Sequence, residues 1–237
     1  AQTVSGGDRL YLWIARHYLA VLNLLIFLYV GLPFAAPVLM KFNERAAARL
    51  IYTVYSPLCH QFAFRSFFLF GDQPYYPLKE AGLAGIRTFD QVSGYADLAN
   101  PLSSARLYAR QFTGDATTGY KVALCERDVA IYAAILLFGL VYALTNRRLP
   151  QLHWLWWFVI GLGPIGLDGF SQLFSQMNWP WLMQLLPYRE STPLLRVLTG
   201  GLFGFMTAWF AYPNIEESMR ETRQYFARKF ALAQAAQ

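Results

Sequence analysis

Charge is scarce in this sequence. Only 14% of its 237 residues are Asp, Glu, Lys or Arg, against about 25% in ordinary soluble domains. That scarcity excludes a disordered tail or a solvated charged coil. Cysteine is scarcer still. Cys59 and Cys125 stand alone, enough for one disulfide or one shared metal ion and too few for a disulfide framework. Histidine stops at His17, His60 and His153. There is no internal repeat, Walker loop, dinucleotide fingerprint or HExxH helix, so no nucleotide cofactor is expected. His17 and His153 fall near the cytoplasmic ends of expected spans, where solvated histidine is commonplace, so haem is not expected either. A compact basic face with interleaved aromatics is also missing. The net charge of +6 and pI near 9.4 therefore point to phospholipid headgroups rather than nucleic acid.

What is present is apolar: 56% hydrophobic residues, 17% aromatic. The mean hydropathy of +0.27 is modest for a membrane protein and suggests spans diluted by one polar stretch. The pattern predicts an all-α membrane protein, a single membrane domain over 1–237 with about four transmembrane helices: 18–40, 129–144, 154–174 and 194–212. The first has no charge, exceeds the ~30 Å hydrocarbon core, and should kink at Pro33 and Pro37. It is too long for a signal-peptide core and reads as an anchor. Asp168 interrupts the third span and Arg196 lies near the start of the fourth. Trp154, Trp156, Trp157, Trp179, Trp181 and Trp209 sit near span ends, as an aromatic belt would. The third span and the fourth are rich in glycine, including Gly161, Gly163, Gly166, Gly169, Gly200, Gly201 and Gly204, which permits close helix approach.

Arg9, Arg16, Arg147, Arg148, Arg220, Arg223, Arg228 and Lys229 all fall on one side of that topology. The positive-inside rule makes this side, with both termini, cytoplasmic. The connection 41–128 is then extracytoplasmic. Within it, 43–55 can form an interfacial amphipathic helix. Residues 51–70 are apolar but carry Pro57, His60 and Arg65, so they read as interfacial or re-entrant. Arg65–Phe70 has strand character, and 72–119 reads as a long ordered or semi-ordered loop. The tail 213–237 holds an amphipathic helix over 216–235, expected on the cytoplasmic membrane surface.

Residues able to carry chemistry gather on the extracytoplasmic side. Ser56 and Pro57 look like the cap and first position of a helix. Cys59 would then occupy the first turn, where the dipole favours a thiolate. Cys125 and Asp128 are three apart at the outer start of the second span and share a helical face. Cys59, Cys125, Asp128 and His60 can bind one Zn²⁺ as a sulfur, carboxylate and imidazole set. Adjacent Cys59 and His60 need an unusual turn to ligate together, so His60 is the weakest of the four. Alternatively the two cysteines form a disulfide, with Asp128 and Arg127 merely capping or pairing, or stay as free thiols. Asp168, a carboxylate inside a span, needs a partner among Arg196, Arg189 and Arg65. It is either a proton site or a buried ion pair, with Gln172 one turn along the same face.

The strings SPLCHQFAFRSFFLFG, LCERDVAIY, GLDGFSQLF and RESTPLLRVLTGGLFG together resemble an uncharacterised prokaryotic membrane family, the domain of unknown function number 2085. The family's elements fall on Cys59, His60, Gln61, Arg65, Ser66, Cys125, Asp168, Gln172, Arg189, Glu190 and Ser191. This chain departs from the pattern at Asp128, where the family shows the second cysteine of a Cys-x-x-Cys, and in a longer loop between the cysteine blocks. The resemblance implies a prokaryotic inner-membrane protein and favours the zinc reading over the disulfide. It implies no activity. The expectation is therefore a membrane protein with an extracytoplasmic Cys/His/Asp cluster, acting as a non-catalytic accessory or structural subunit with protein partners and lipid around it. Tyr75, Tyr76, Phe89, Tyr95, Tyr108, Phe112 and Tyr120 supply an aromatic contact surface for that role. One alternative is a zinc-dependent enzyme on a lipid or membrane-embedded substrate. In it Asp168 or Glu190 is the base and Arg65 or Arg189 stabilises an anion. The other is a quinone-linked thiol oxidoreductase, against which the lack of a Cys-x-x-Cys argues.

Overall fold

The computed structural model describes residues 4–95, 97–100, 103–177 and 188–235; the expected belt residues Trp179 and Trp181 lie outside them. Helix α1 covers Gly6–Lys41, 36 residues, or roughly 54 Å at ~1.5 Å per residue. It opens with a capping box between Ser5 and Asp8 and runs through Pro33 and Pro37. Helix α2, Arg45–Tyr55, follows a short turn. Its Leu50 and Val54 are exposed, as is Leu58 just beyond it, an i, i+4, i+8 stripe suited to a lipid interface.

The expected loop 72–119 folds. Helices α3 (Phe89–Ser93) and α4 (Ser104–Gln111) close over a core of Phe64, Phe68, Tyr76, Leu78, Phe89, Leu98, Ala105 and Ala109. This small subdomain also corrects the all-α expectation. Strands β1 (Ser66–Leu69), β2 (Gly114–Asp115) and β3 (Gly119–Cys125) form an antiparallel sheet in the order β1-β3-β2. Lys121, Val122, Ala123 and Leu124 of β3 are all fully buried. A strand covered on both faces loses its alternation, and periodicity alone does not distinguish it from a buried helix segment. Gly119, at φ 74°, turns the chain into β3.

Strand β3 passes directly into α5, Glu126–Leu144. The expected third span is helical in three pieces: α6 (Trp154–Trp156), a π-helical stretch over Trp157–Leu162, and α7 (Gly163–Ser175). Pro164 explains the break, because its ring clashes with the carbonyl four residues back and it brings no N–H. The wider π register ahead of it absorbs that mismatch. The last helix, α8, covers Pro193–Ala235, 43 residues. Among the described residues three helices, α1, α5 and α8, are long and apolar enough to cross a membrane.

The tail does not form a separate surface helix. It continues α8 and packs on the N-terminal turns of α1. Tyr11 stacks on Phe226, Lys229 reaches both carboxylate oxygens of Asp8 at 2.9 Å, and Arg223 donates to the Ala15 carbonyl at 2.8 Å. At this tail end of the bundle Tyr18, Phe138, Tyr142 and Tyr212 form a core. Toward the sheet end α5 and α8 touch backbone to backbone. A side chain at Gly200 would strike the Arg127 carbonyl, and one at Gly204 the Ile131 carbonyl. Of the glycines expected to seat the last span, Gly200 and Gly204 thus face α5 and Gly201 does not. That close approach brings Arg196, one turn before Gly200, against the start of α5.

Candidate metal centre

The sheet register builds the site. Ser66 of β1 pairs with Cys125 of β3, so the chain just before β1 is drawn to the first turn of α5. Cys125 has extended backbone and stands at the cap position of α5, with Asp128 one turn on. Cys59 arrives differently from expectation. Helix α2 closes at Tyr55 with Ser56 as its C-terminal cap, and Pro57, which cannot continue a helix, ends it. Cys59 therefore lies past a helix end, and its N–H donates to the Tyr55 carbonyl at 3.0 Å.

Gln61 shapes the turn that follows. Its backbone is left-handed, φ 53°, a costly state for a non-glycine residue that persists only when surroundings over-determine it. Here they do. Its amide Nε2 donates to the Tyr52 and Ala123 carbonyls at 2.9 and 3.1 Å. Its carbonyl accepts from Lys121 Nζ at 2.7 Å, and its N–H reaches Cys59 Sγ at 3.4 Å. Lys121 has no solvent exposure and also donates to the Arg110 carbonyl at 2.7 Å. Burial pulls its pKa down to about 7, against the attraction of Cys59.

Cys59, Cys125 and Asp128 come together: one ligand atom from each lies within 4.8 Å of the others. Both cysteines are free thiols. A hydrogen bond from Cys125 holds Cys59 below the ordinary thiol range although burial opposes it. The same bond, with burial, pushes Cys125 up. His60 is not in this group. It is exposed, its ring stacked on Phe62 with centroids 5.6 Å apart. The three donors open on a cavity of about 270 Å³ that His60, Arg65, Arg127, Gln172 and Arg196 also line.

Behind the cavity stands a network of ion pairs. Arg65 grips Glu190 with two bonds, 2.7 and 2.8 Å; burial works against its charge and Glu190 overcomes that. Arg196, 2% exposed, joins Glu190 to Glu126, the latter at 3.0 Å. Asp168 pairs with Arg189 at 2.9 Å and with Arg127. It also accepts from the Ser191 hydroxyl at 2.9 Å and Gln172 Nε2 at 3.2 Å. Of its three expected partners only Arg189 reaches it; Arg65 and Arg196 turn to Glu190. Among the catalytic candidates Asp168, Glu190, Arg65 and Arg189, only Arg65 lines the cavity. Lys121, Arg127 as a cavity residue, and Glu126 were not foreseen. Charged residues inside an apolar strand and at the first turn of a span are the signals that mark them.

A family described as "Predicted membrane protein", the domain of unknown function 2085, matches residues 109–210. An uncharacterized protein of Methanocaldococcus jannaschii is 24% identical over 207 residues, covering 84% of this chain and 92% of that protein. The chain fits this uncharacterised prokaryotic membrane family. No solved structure matches it. The family match takes in Cys125, Asp128, Asp168 and Glu190, while Cys59, His60 and Arg65 lie ahead of it. The relative, like the family, carries no named activity.

Proposed function

We propose that this chain holds a zinc ion between Cys59, Cys125 and Asp128 on the extracytoplasmic face of a prokaryotic inner membrane, and that the site serves a metal-dependent enzyme acting on a lipid or another membrane-embedded substrate. In this reading residues 154–175 are a fourth crossing and both termini are cytoplasmic. One observation carries the proposal: three donors from two distant chain segments lie within 4.8 Å of one another at the mouth of a cavity. Zinc prefers such donors at about 2.0–2.3 Å, so small adjustments let all three share one ion. Three protein ligands would leave room for one more, as working rather than purely structural zinc sites do. Bound there, zinc supplies a Lewis acid that polarises an oxygen and acidifies water.

The chain's own residues suit that role. In the ion-pair network four guanidiniums, of Arg65, Arg127, Arg189 and Arg196, face three carboxylates, of Glu126, Asp168 and Glu190. Arg65, Arg127 and Arg196 line the cavity and favour an anion there. Asp168 and Glu190 are locked in ion pairs, so in this proposal they position arginines and do not accept protons. The accessory-subunit reading loses support from the aromatic loop. Of the seven rings expected to form a contact surface, Tyr95 alone is exposed, and Tyr76 and Phe89 sit in the subdomain core.

Elemental analysis of the purified full chain tests the metal. About one zinc per chain is expected, lost in Cys59→Ser and Cys125→Ser, weakened in Asp128→Asn and retained in His60→Ala. Equal metal content in the wild type and both cysteine variants overturns the site, and a disulfide in the denatured wild type redirects it to thiol chemistry. Stoichiometric partners with no turnover of lipid by the zinc-loaded protein return the chain to the accessory role.

A further inference from the structure

A second cavity, of about 440 Å³, adjoins the first and shares His60, Phe62 and Arg65 with it. Its other wall is α4, which contributes Arg106, Leu107 and Arg110. Arg106 and Arg110 are four residues apart, so they project from one helix face. Both are half-buried, and neither forms an ion pair among the described residues. Backbone and hydroxyl oxygens hold them instead, and Arg106 also lies over the Phe62 and Phe64 rings. Arg106 donates through Nε and Nη2 to the carbonyls of Leu98 and Ala99 and to the Tyr188 hydroxyl. Arg110 donates through Nη2 to the carbonyl and hydroxyl of Ser56. Arg65 uses Nε and Nη2 on Glu190. Each guanidinium has five donors, and each spends only part of its fork on these protein groups.

Two half-buried cations without a carboxylate are expensive to keep, and neutral oxygens offset only part of that cost. We infer that this arginine-lined cavity is an anion site for a phosphate group. Three arginines on two separate elements match the three or more acceptor oxygens of a phosphate better than the two of a carboxylate. The cavity also lies at the level of an apolar edge. Arg110 is tied to Ser56 at the end of α2, next to exposed Leu50, Val54 and Leu58, and exposed Leu107 stands between the two arginines. Charged groups over such an edge match a phospholipid, phosphate in the cavity and acyl chains alongside. A soluble phosphate ester offers the same headgroup chemistry without the chains. The inference stands apart from the zinc reading, because none of the three arginines belongs to the Cys59, Cys125 and Asp128 trio.

The test uses the full chain with and without zinc. Phosphorus NMR and native mass spectrometry follow binding of inorganic phosphate, glycerol 1-phosphate and phosphatidylglycerol, with phosphatidylcholine as the zwitterionic control. Retention of phosphatidylglycerol over phosphatidylcholine assigns the group to a lipid. Binding of glycerol 1-phosphate or phosphate alone assigns it to a soluble ester. In either case Arg110→Gln should weaken binding at least tenfold, leaving zinc content and the unfolding midpoint unchanged. Arg106→Gln should do the same, although its loss also frees the Leu98 and Ala99 carbonyls, so the wild-type titration is the deciding arm. A wild type that binds none of these phosphate compounds, phosphatidylcholine included, overturns the inference, as does Arg110→Gln binding as tightly as the wild type.

Discussion

Both ends of the helical bundle carry arginines clasped to carboxylates, and the two clasps differ in kind. At the sheet end Arg196, Glu126 and Glu190 are each 3% exposed or less, and the pairs link α5, α8 and the chain ahead of β1 around a cavity. At the tail end Glu216 receives Tyr18, Arg147 and Arg223, but both arginine side chains are about a quarter exposed. An exposed pair is cheap to form and contributes little. A buried one must overcome several kcal/mol of desolvation per ion, approximately, and is weak evidence for stability. A chain that buries this many charges at one end is holding side chains in place there, which is what a site requires. At the other end it fastens α1, α8 and the turn after α5 together.

The sharpest way to break that contrast is to remove one carboxylate from each end. Glu190→Gln leaves Arg65 and Arg196 short of their shared partner, and breaking a buried pair in this way costs about 3–5 kcal/mol. Glu216→Gln should cost about 1 kcal/mol or less after solvent screening. Thermal unfolding in detergent measures both. Equal losses would mean that the two ends are held by the same kind of interaction.

Next in size is the helix contact that carries the sheet-end network. Gly204→Ala puts a methyl group into the Ile131 carbonyl, and Gly201→Ala meets nothing within 4 Å. The first should cost about 1–3 kcal/mol, in the range of overpacked cores. The second should be neutral or stabilise by up to about 1 kcal/mol through helix propensity. Reversal of that order in unfolding measurements would remove α5 from its place against α8.

A smaller effect separates the turn from the ligands it presents. Gln61→Ala deletes the two amide bonds that hold the left-handed backbone. If zinc binds as proposed, its affinity should fall roughly 10–100-fold, the usual loss when a group orienting a ligand is removed. A competition titration with a chelator reads this directly. Unchanged affinity would show that Cys59 keeps its position without the turn.

How much of this was legible beforehand depends on which physical signal each element carries. The apolar runs of α1, α5 and α8 were readable because a lipid-facing helix must be apolar over its whole length. Strand β3 was hidden because burial on both faces erases alternation. The tail helix is legible, but not its continuity with the last span: Pro213 signals a break, yet α8 runs through it and on to the first turns of α1. At the site, Cys125 and Asp128 were readable from their spacing. The local reading of Ser56 and Pro57 failed, because a proline after a serine serves a helix end as well as a start, and α2 arrives from the other side. The ion-pair partners depended on the Gly200 and Gly204 contact, a tertiary fact that residue types alone do not encode.

The smallest effect lies at the tip of the sheet that carries Cys125. Asp115 accepts from the N–H groups of Thr117 and Thr118, both at 2.8 Å, and from the Thr118 hydroxyl at 3.1 Å. Partial burial opposes its charge, yet these bonds hold its pKa below the usual carboxylate range. A carboxyl lowered on folding contributes stability above its unfolded pKa of about 3.9, and that contribution disappears as pH falls through the lowered value. Asp115→Asn should therefore unfold slightly earlier than the wild type at pH 7, with the gap narrowing below about pH 4. Comparing the two proteins at each pH cancels the titration of every other group, which both share. A gap that persists undiminished at pH 2–3 would assign the role of Asp115 to the shape of the turn and not to its charge.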